Sequence, residues 1–300
     1  MKNNYNTILQ LLETVKDETD ARNLIAKMRW ENGTPVCPHC DSSEICAFSD
    51  KKRYCCKSCD KQFTVTVGTI FENSKVPLRK WLIALFFAIS NKKGITSIQL
   101  SKQIGVTQKT AWFMLQRLRQ MFEDKAPALL DGTIEVDETY VGGKHMGKRG
   151  RGSENKTPVF GMVERGGRII ARTVVDTKQR TLQPIIEQYA VKGSKIMSDE
   201  WWAYRHLKKA NYIHQFVTHG RYEYARGDVH TNTIEGFWGF FKRGIRGLYQ
   251  WVSRKHMQRY VNEFTFRYNN RKESIEDIFL LTLKCSERRL TYSMLTGITQ

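Results

Sequence analysis

The sequence predicts an α/β domain in its second half, preceded by a small cysteine-built module and a helical region. Three observations carry this expectation. From Asp131 onward, strand-like segments (Thr133–Val141, Thr157–Val163, Arg168–Val175) precede a helical Leu182–Tyr189 and a further strand, Lys195–Ser198. Strands mixed with helices in this order indicate an α/β sheet with flanking helices. Two Cys-x-x-Cys pairs fall between residues 37 and 59, and Pro77–Phe122 has a helical apolar pattern with breaks near Asn91–Gly94 and at Gly105.

The chain begins with two short helical patterns. Ile8, Leu11, Leu12 and Val15 share one face, and a second helical stretch runs from Asp17 to Trp30 before Glu31–Pro35 breaks it. Cys37-Pro-His-Cys40 and Cys56-Lys-Ser-Cys59 are knuckles separated by fifteen residues. Each such turn places two thiolates on one side of a metal, and two of them complete the tetrahedron of a structural Zn²⁺ site. His39, Cys46 and Cys55 are the leftover candidates; Cys55 adjoins Cys56 on a strand and faces the other way. Phe63–Ile70 alternates with β-branched residues and is expected to finish the small sheet. Cys285 is expected to be packed within a helical tail.

Ser97–Ile104, Gly105-Val106 and Thr107–Phe122 read as helix, tight turn, helix, with Thr107 as N-cap. Val106, Ala111, Leu115 and Leu118 would pack inward, which leaves Gln108, Lys109 and Thr110 where a recognition helix meets base edges. The expected division is 1–34, an N-terminal helical segment; 35–75, a zinc ribbon; 76–125, a helix-turn-helix region; 130–275, the α/β domain; and 276–300, a C-terminal tail.

Composition narrows the function. Forty-nine Lys and Arg against thirty Asp and Glu give a net charge of +19, which favours a polyanionic partner through counterion release. Hydrophobic residues at 40% are enough for a real core and argue against a disordered chain. Met1–Asn6 is polar, unlike a secretion signal, and the longest apolar run, Trp81–Ile89, falls short of the ~18 residues of a membrane span. Cysteines spaced for metal rather than disulfides suit a reducing compartment, so a cytoplasmic protein without membrane contact is expected.

Three acids stand out. Asp137 lies mid-strand in Thr-Ile-Glu-Val-Asp-Glu-Thr-Tyr-Val, where an unpartnered charge is costly. Asp199 follows the strand Lys195–Ser198, at the end where α/β sheets present functional groups. Glu235 lies in a helical stretch, 230–242. At ~100° per residue, Ile234, Phe237, Trp238, Phe241 and Ile245 form an apolar face, and Asn232, Glu235, Gly239, Lys242 and Arg246 an adjoining polar stripe. Hard divalent cations, Mg²⁺ or Mn²⁺, take such oxygen ligands. From Lys242 to Lys272 there are nine basic residues and one acid. Its aromatics (Trp251, Tyr260, Phe264, Tyr268) are expected in the core, with the basic groups facing outward toward DNA. Gly142–Lys156, rich in Gly, Lys and Arg, reads as a surface loop able to contact phosphate.

Thirty-five residues separate Asp199 from Glu235, and Lys242 follows seven later. This resembles the D…D-35-E pattern of DDE transposases and retroviral-type integrases. Arg29-Trp30 before Cys-Pro-His-Cys, Gly68-Thr-Ile-Phe71, Val136-Asp-Glu-Thr-Tyr-Val-Gly-Gly-Lys144, Ser198-Asp-Glu-Trp201 and His230-Thr-Asn-Thr-Ile-Glu-Gly-Phe-Trp238 look like bacterial insertion-sequence transposases of the ISXO-like type. The resemblance implies a zinc ribbon followed by an RNase H-like catalytic domain acting near the nucleoid. It also implies a reaction in which transposon ends are cleaved and their 3′-hydroxyls joined to target DNA, within a homo-oligomeric synaptic complex. Two Mg²⁺ ions would be held by Asp137, Asp199 and Glu235, with Asn232 as the alternative third residue; Lys242, Arg246 and Lys109 would contact DNA. Two rival readings are a non-enzymatic zinc-ribbon and helix-turn-helix regulator, and a nuclease on the same fold.

Overall fold

The computed structural model describes residues 5–30, 33–50, 52–142, 156–218, 220, 223, 225–287 and 289–296. The Gly142–Lys156 loop expected from the sequence lies, but for its two end residues, outside them. The chain forms two compact units, Met1–Phe122 with Lys272–Gln300, and Glu123–Arg271.

In the first unit, α1 (Ile8–Thr14) opens on a capping box between Thr7 and Gln10, and α2 (Glu18–Arg29) on the Asp17 carboxylate, which accepts from the Thr19 and Asp20 amides. Strands β1 (Ile45–Ala47), β2 (Arg53–Cys56) and β3 (Gln62–Thr64) form an antiparallel sheet in that order. Trp30, buried at the end of α2, meets Tyr54 and Phe63 of this sheet edge-on. The sheet stops earlier than expected. After Thr64 the chain turns repeatedly: Thr69 Oγ1 donates to the Thr66 carbonyl at 2.6 Å, and the Gly68 amide, at φ +80°, donates to Glu72 at 2.8 Å. These local bonds replace ladder bonds, while Ile70 and Phe71 are buried all the same.

Helices α3 (Leu78–Ser90), α4 (Ser97–Ile104) and α5 (Gln108–Met121) pack on one another. Gly105 ends α4 in the left-handed conformation and Thr107 caps α5, so the helix-turn-helix forms as its turn chemistry requires. Ala111, Leu115 and Leu118 are buried, and Gln108 and Lys109 are exposed.

The second unit is built on a five-stranded sheet: β4 (Thr133–Gly142), β5 (Lys156–Glu164), β6 (Ile169–Thr173), β7 (Lys195–Ser198) and β8 (Ile213–Phe216), in the order β6-β5-β4-β7-β8. The first three pair antiparallel, while β7 runs parallel to β4 and β8 parallel to β7. This is the RNase H-like mixed sheet. Strand β8 had no counterpart in the sequence reading: two of its four residues are polar, and all but His214 are exposed.

Both faces of the sheet are covered. On one, Ile134, Val136, Phe160 and Met162 cluster with Leu182 and Ile186 of α6 (Gln179–Tyr189) and with Tyr204. On the other, Val159 and Val163 cluster with α7 (Asn232–Gly244) and α8 (Arg254–Asn269). Strand alternation therefore points Ile134 and Val136 one way and Glu135 and Asp137 the other, toward α7. A π-helical turn, Ile245–Tyr249, continues α7 and ends at Gln250 with φ +61°.

Trp251, expected in the core, is 67% exposed instead; Tyr260 and Phe264 are buried. The turn at Gln250 interrupts the helical period that would have carried Trp251 inward. The chain returns to the first unit as α9 (Ile275–Lys284) and α10 (Tyr292–Thr296), where Phe279 packs against Tyr5 at 5.4 Å between rings. Within 276–300, expected as a C-terminal tail, Phe279, Leu283, Leu290 and Leu295 are buried. Cys285, at the end of α9, is exposed rather than packed. No helix of the described residues is long and apolar enough to cross a membrane.

Candidate active site and metal centre

The two cysteine knuckles are built alike. In each, the first cysteine's amide donates to a carbonyl five residues on (Cys37 to Ser42, Cys56 to Lys61), and its carbonyl accepts from the amide four residues on (Asp41, Asp60). Asp41 and Asp60 both take positive φ, 57° and 55°, to close the turn. The four sulfurs lie within 4.8 Å of one another, with Cys37–Cys59 at 3.7 Å and Cys40–Cys56 at 3.5 Å. Tetrahedral Zn–S bonds of ~2.3 Å require sulfurs about 3.8 Å apart, so the residues fit Zn²⁺. The thiols perturb one another strongly. Burial raises Cys56, but the Cys59 and Ser58 amides and the neighbouring thiols outweigh it and bring it down to about 6. Cys46 faces Cys55 across the β1–β2 ladder, outside the quartet.

In the second unit, three elements present acids. Asp137 sits on β4 facing α7; Asp199 follows the last residue of β7; Glu235 lies in the first turn of α7. Half-buried Asp137 has its carboxyl pushed well above the usual range, first by burial, then by the charges of Glu138, Asp199 and Glu235. The structure thus brings the predicted acids together electrostatically. They are not drawn into one tight set, since among the described residues only the cysteines place three or more such ligand atoms within 4.8 Å. Asn232, the alternative third residue, is exposed one turn before Glu235.

Each acid is oriented locally. Asp199 Oδ1 accepts from the Trp201 amide at 3.0 Å, and Glu235 Oε1 from the Thr231 hydroxyl at 2.7 Å. The Ser198 hydroxyl donates to the Asp199 carbonyl at 2.7 Å and lies 2.9 Å from His214 Nε2.

Lys242 lies within the field of Asp137. Burial lowers its pKa, Asp137 opposes this, and Arg246 and Lys156 add to it. With Tyr140, Gln250 and Trp251 these three cations line a recess at the π-helical turn. Its positive walls and exposed indole suit a nucleic-acid strand. Lys109 is exposed in the first turn of α5, in the other unit.

Sequence reasoning missed several residues around the acids. Glu135 is fully buried and accepts from Arg165, Thr233 and Ile234; Glu138 is buried and accepts from the Tyr204 hydroxyl at 2.6 Å. The one available signal was three acids within four residues of one strand.

Residues 129–269 match the family model of the ISXO2-like transposase domain, and residues 16–62 that of a transposase zinc-ribbon domain. An uncharacterized protein in transposable element ISH50 of Halobacterium salinarum is 32% identical over 278 residues, covering 85% of this chain and 92% of that one. An uncharacterized transposase-like protein of Haemophilus influenzae is 26% identical over 97 residues, 32% of this chain and 77% of its own length. The Mos1 strand transfer complex aligns with 73% of this chain and 82% of its own at 14% identity, with a TM-score of 0.28. Both family matches and the relative spanning most of the chain agree: this protein belongs to the ISXO2-like transposases and carries their zinc ribbon at its amino-terminal end.

Proposed function

We propose that Asp137, Asp199 and Glu235 are the metal-binding catalytic acids of this DNA transposase. The observation that carries the reading is the crowding of Asp137 by the charges of Asp199 and Glu235, three residues from separate elements. Such crowding is unfavourable without positive charge, and oxygen donors suit hard cations. When bound, a pair of Mg²⁺ or Mn²⁺ ions supplies charge neutralisation at phosphorus and at the entering and leaving oxygens. The acids hold that charge in place, with Asp137 central. Lys242, Arg246 and Lys156 grip the phosphate backbone beside the reacting bond, and Trp251 offers a surface for an unstacked base. Lys109 and its neighbours on α5 contact the transposon end. The residues thereby serve two successive displacements at one site: hydrolysis freeing a 3′-hydroxyl at the transposon end, then attack of that hydroxyl on target DNA. Two ends must be joined together, so the working form is a homo-oligomer on DNA.

Glu235 is preferred to Asn232 because its charge reaches Asp137. The test is strand transfer from a labelled transposon-end duplex with Mg²⁺ or Mn²⁺. Asp137→Asn, Asp199→Asn and Glu235→Gln should each abolish joined product while end-DNA binding persists. Full activity in Asp137→Asn contradicts the assignment; full activity in Glu235→Gln with loss in Asn232→Ala transfers the third role to Asn232.

A further inference from the structure

We propose that Glu135 and Glu138, the glutamates flanking Asp137, are positioning residues, each fastening one of the other two acid-bearing elements to strand β4. The proposal rests on the catalytic reading of the three acids given above. Glu135 faces α7. Its Oε2 accepts from the Thr233 amide at 2.8 Å and the Ile234 amide at 3.0 Å; its Oε1 accepts from the Thr233 hydroxyl at 2.9 Å and Arg165 Nε at 2.7 Å. The residue placed to cap α7 locally, Thr231, makes no side-chain cap bond and gives its hydroxyl to Glu235. The start of the helix is therefore capped by a side chain 98 residues away in sequence. Arg165 extends the tie, donating to the His230 carbonyl at 3.0 Å. Glu235 is the residue directly after Ile234 in this clamp.

Glu138 points to the opposite face of β4. It accepts from the hydroxyl of Tyr204, which is fully buried at the end of the short 3₁₀ helix Trp202–Tyr204. That helix begins three residues after Asp199, and Trp201 between them donates its amide to Asp199 and its indole N–H to the Thr177 carbonyl at 3.0 Å. One strand thus carries one acid and holds the elements bearing the other two, on opposite faces. Packing alone does not call for carboxylates here. Burying negative charge beside a crowded acid is unfavourable, and only an acceptor-only group on both oxygens satisfies all the donors around Glu135.

The full-length protein tests this with Glu135→Gln, Tyr204→Phe and Glu138→Gln, beside Asp137→Asn. Glu135→Gln turns an amide donor onto other donors, and Tyr204→Phe removes one hydroxyl while keeping the ring. Both should lower kcat for end cleavage about 10- to 100-fold and weaken Mn²⁺ binding, read by calorimetry without DNA, by about tenfold, with KM for end DNA little changed. Glu138→Gln, whose amide oxygen still accepts from Tyr204, should lose much less than Tyr204→Phe. The proposal is overturned if both variants keep wild-type kcat and Mn²⁺ affinity while Asp137→Asn is dead. It is also overturned if the losses disappear once rates are corrected for the folded fraction. An active Asp137→Asn would instead overturn the catalytic reading itself.

Discussion

Gly161 stands directly opposite Asp137 in the β4–β5 register, and a Cβ at Gly161 would lie 2.6 Å from the Trp238 ring. The absence of a side chain there lets α7 lie down on the sheet beside Asp137. Trp238 and Glu235 share that helix, so the approach of the indole sets how near the third acid comes to the first.

A side chain at position 161 should therefore move the acids apart. Gly161→Val is expected to cost about 1–3 kcal/mol from overpacking, and to reduce strand transfer beyond what that instability explains. Thermal denaturation alongside transfer rates at a temperature where the variant is folded will decide it. Unchanged transfer in a folded variant would show that the packing is irrelevant to the site.

Asp137 is held above the usual carboxylate range, so its ionised form opposes folding at neutral pH. The sign is that of a raised pKa: its contribution favours the folded state at acidic pH and is lost as pH rises through the folded value. Asp137→Asn should accordingly raise Tm in metal-free buffer at pH 7. Mn²⁺ should raise the Tm of the wild type and do so less for the variant, a comparison made by calorimetry.

His214 behaves oppositely. Burial, then Lys208, depresses its pKa from 6.5 to about 4, and Ser198 meets its ring. Below pH 6.5 the unfolded chain takes up a proton that the folded one refuses, so stability falls between pH 6.5 and 4 and is level above. The shift is worth at most ~3 kcal/mol. Urea denaturation across this range should show a shallower slope for His214→Gln than for wild type.

Lys242 and Arg246 should govern general DNA affinity. Replacing either with Ala is expected to weaken binding of end and unrelated duplexes alike and to lessen the salt slope by about one. Lys109→Ala should change the preference for the transposon end more. Fluorescence anisotropy at several salt concentrations separates the two behaviours, and identical slopes for wild type and Lys242→Ala would remove Lys242 from the interface.

Zinc should bind at one ion per chain and persist in Cys46→Ser, Cys55→Ser and Cys285→Ser. Cys56→Ser should lose it, along with protection of residues 37–62 from protease, since so small a sheet has little core of its own. Retained zinc in Cys56→Ser would place the ion elsewhere.

Much of this protein is written in short-range pattern. The zinc site was legible because a Cys-x-x-Cys turn is local, and the α7 stripe because one period of 3.6 residues sorts Ile234, Phe237, Trp238 and Phe241 from Glu235 and Lys242. Strand β4 announced itself by apolar alternation. Other features have no local pattern to read. β8 is held by pairing with β7 rather than by its own residues, and Trp251 is turned outward by the backbone at Gln250. Residues 275–296 join a unit begun more than two hundred residues earlier. The same holds for Glu135 capping α7 and Glu138 holding Tyr204: each is a bond between distant segments, and only folding brings its two ends together. Sequence determined which side chains could do the chemistry; the tertiary structure decided which of them meet, because long-range contact leaves no trace in periodicity.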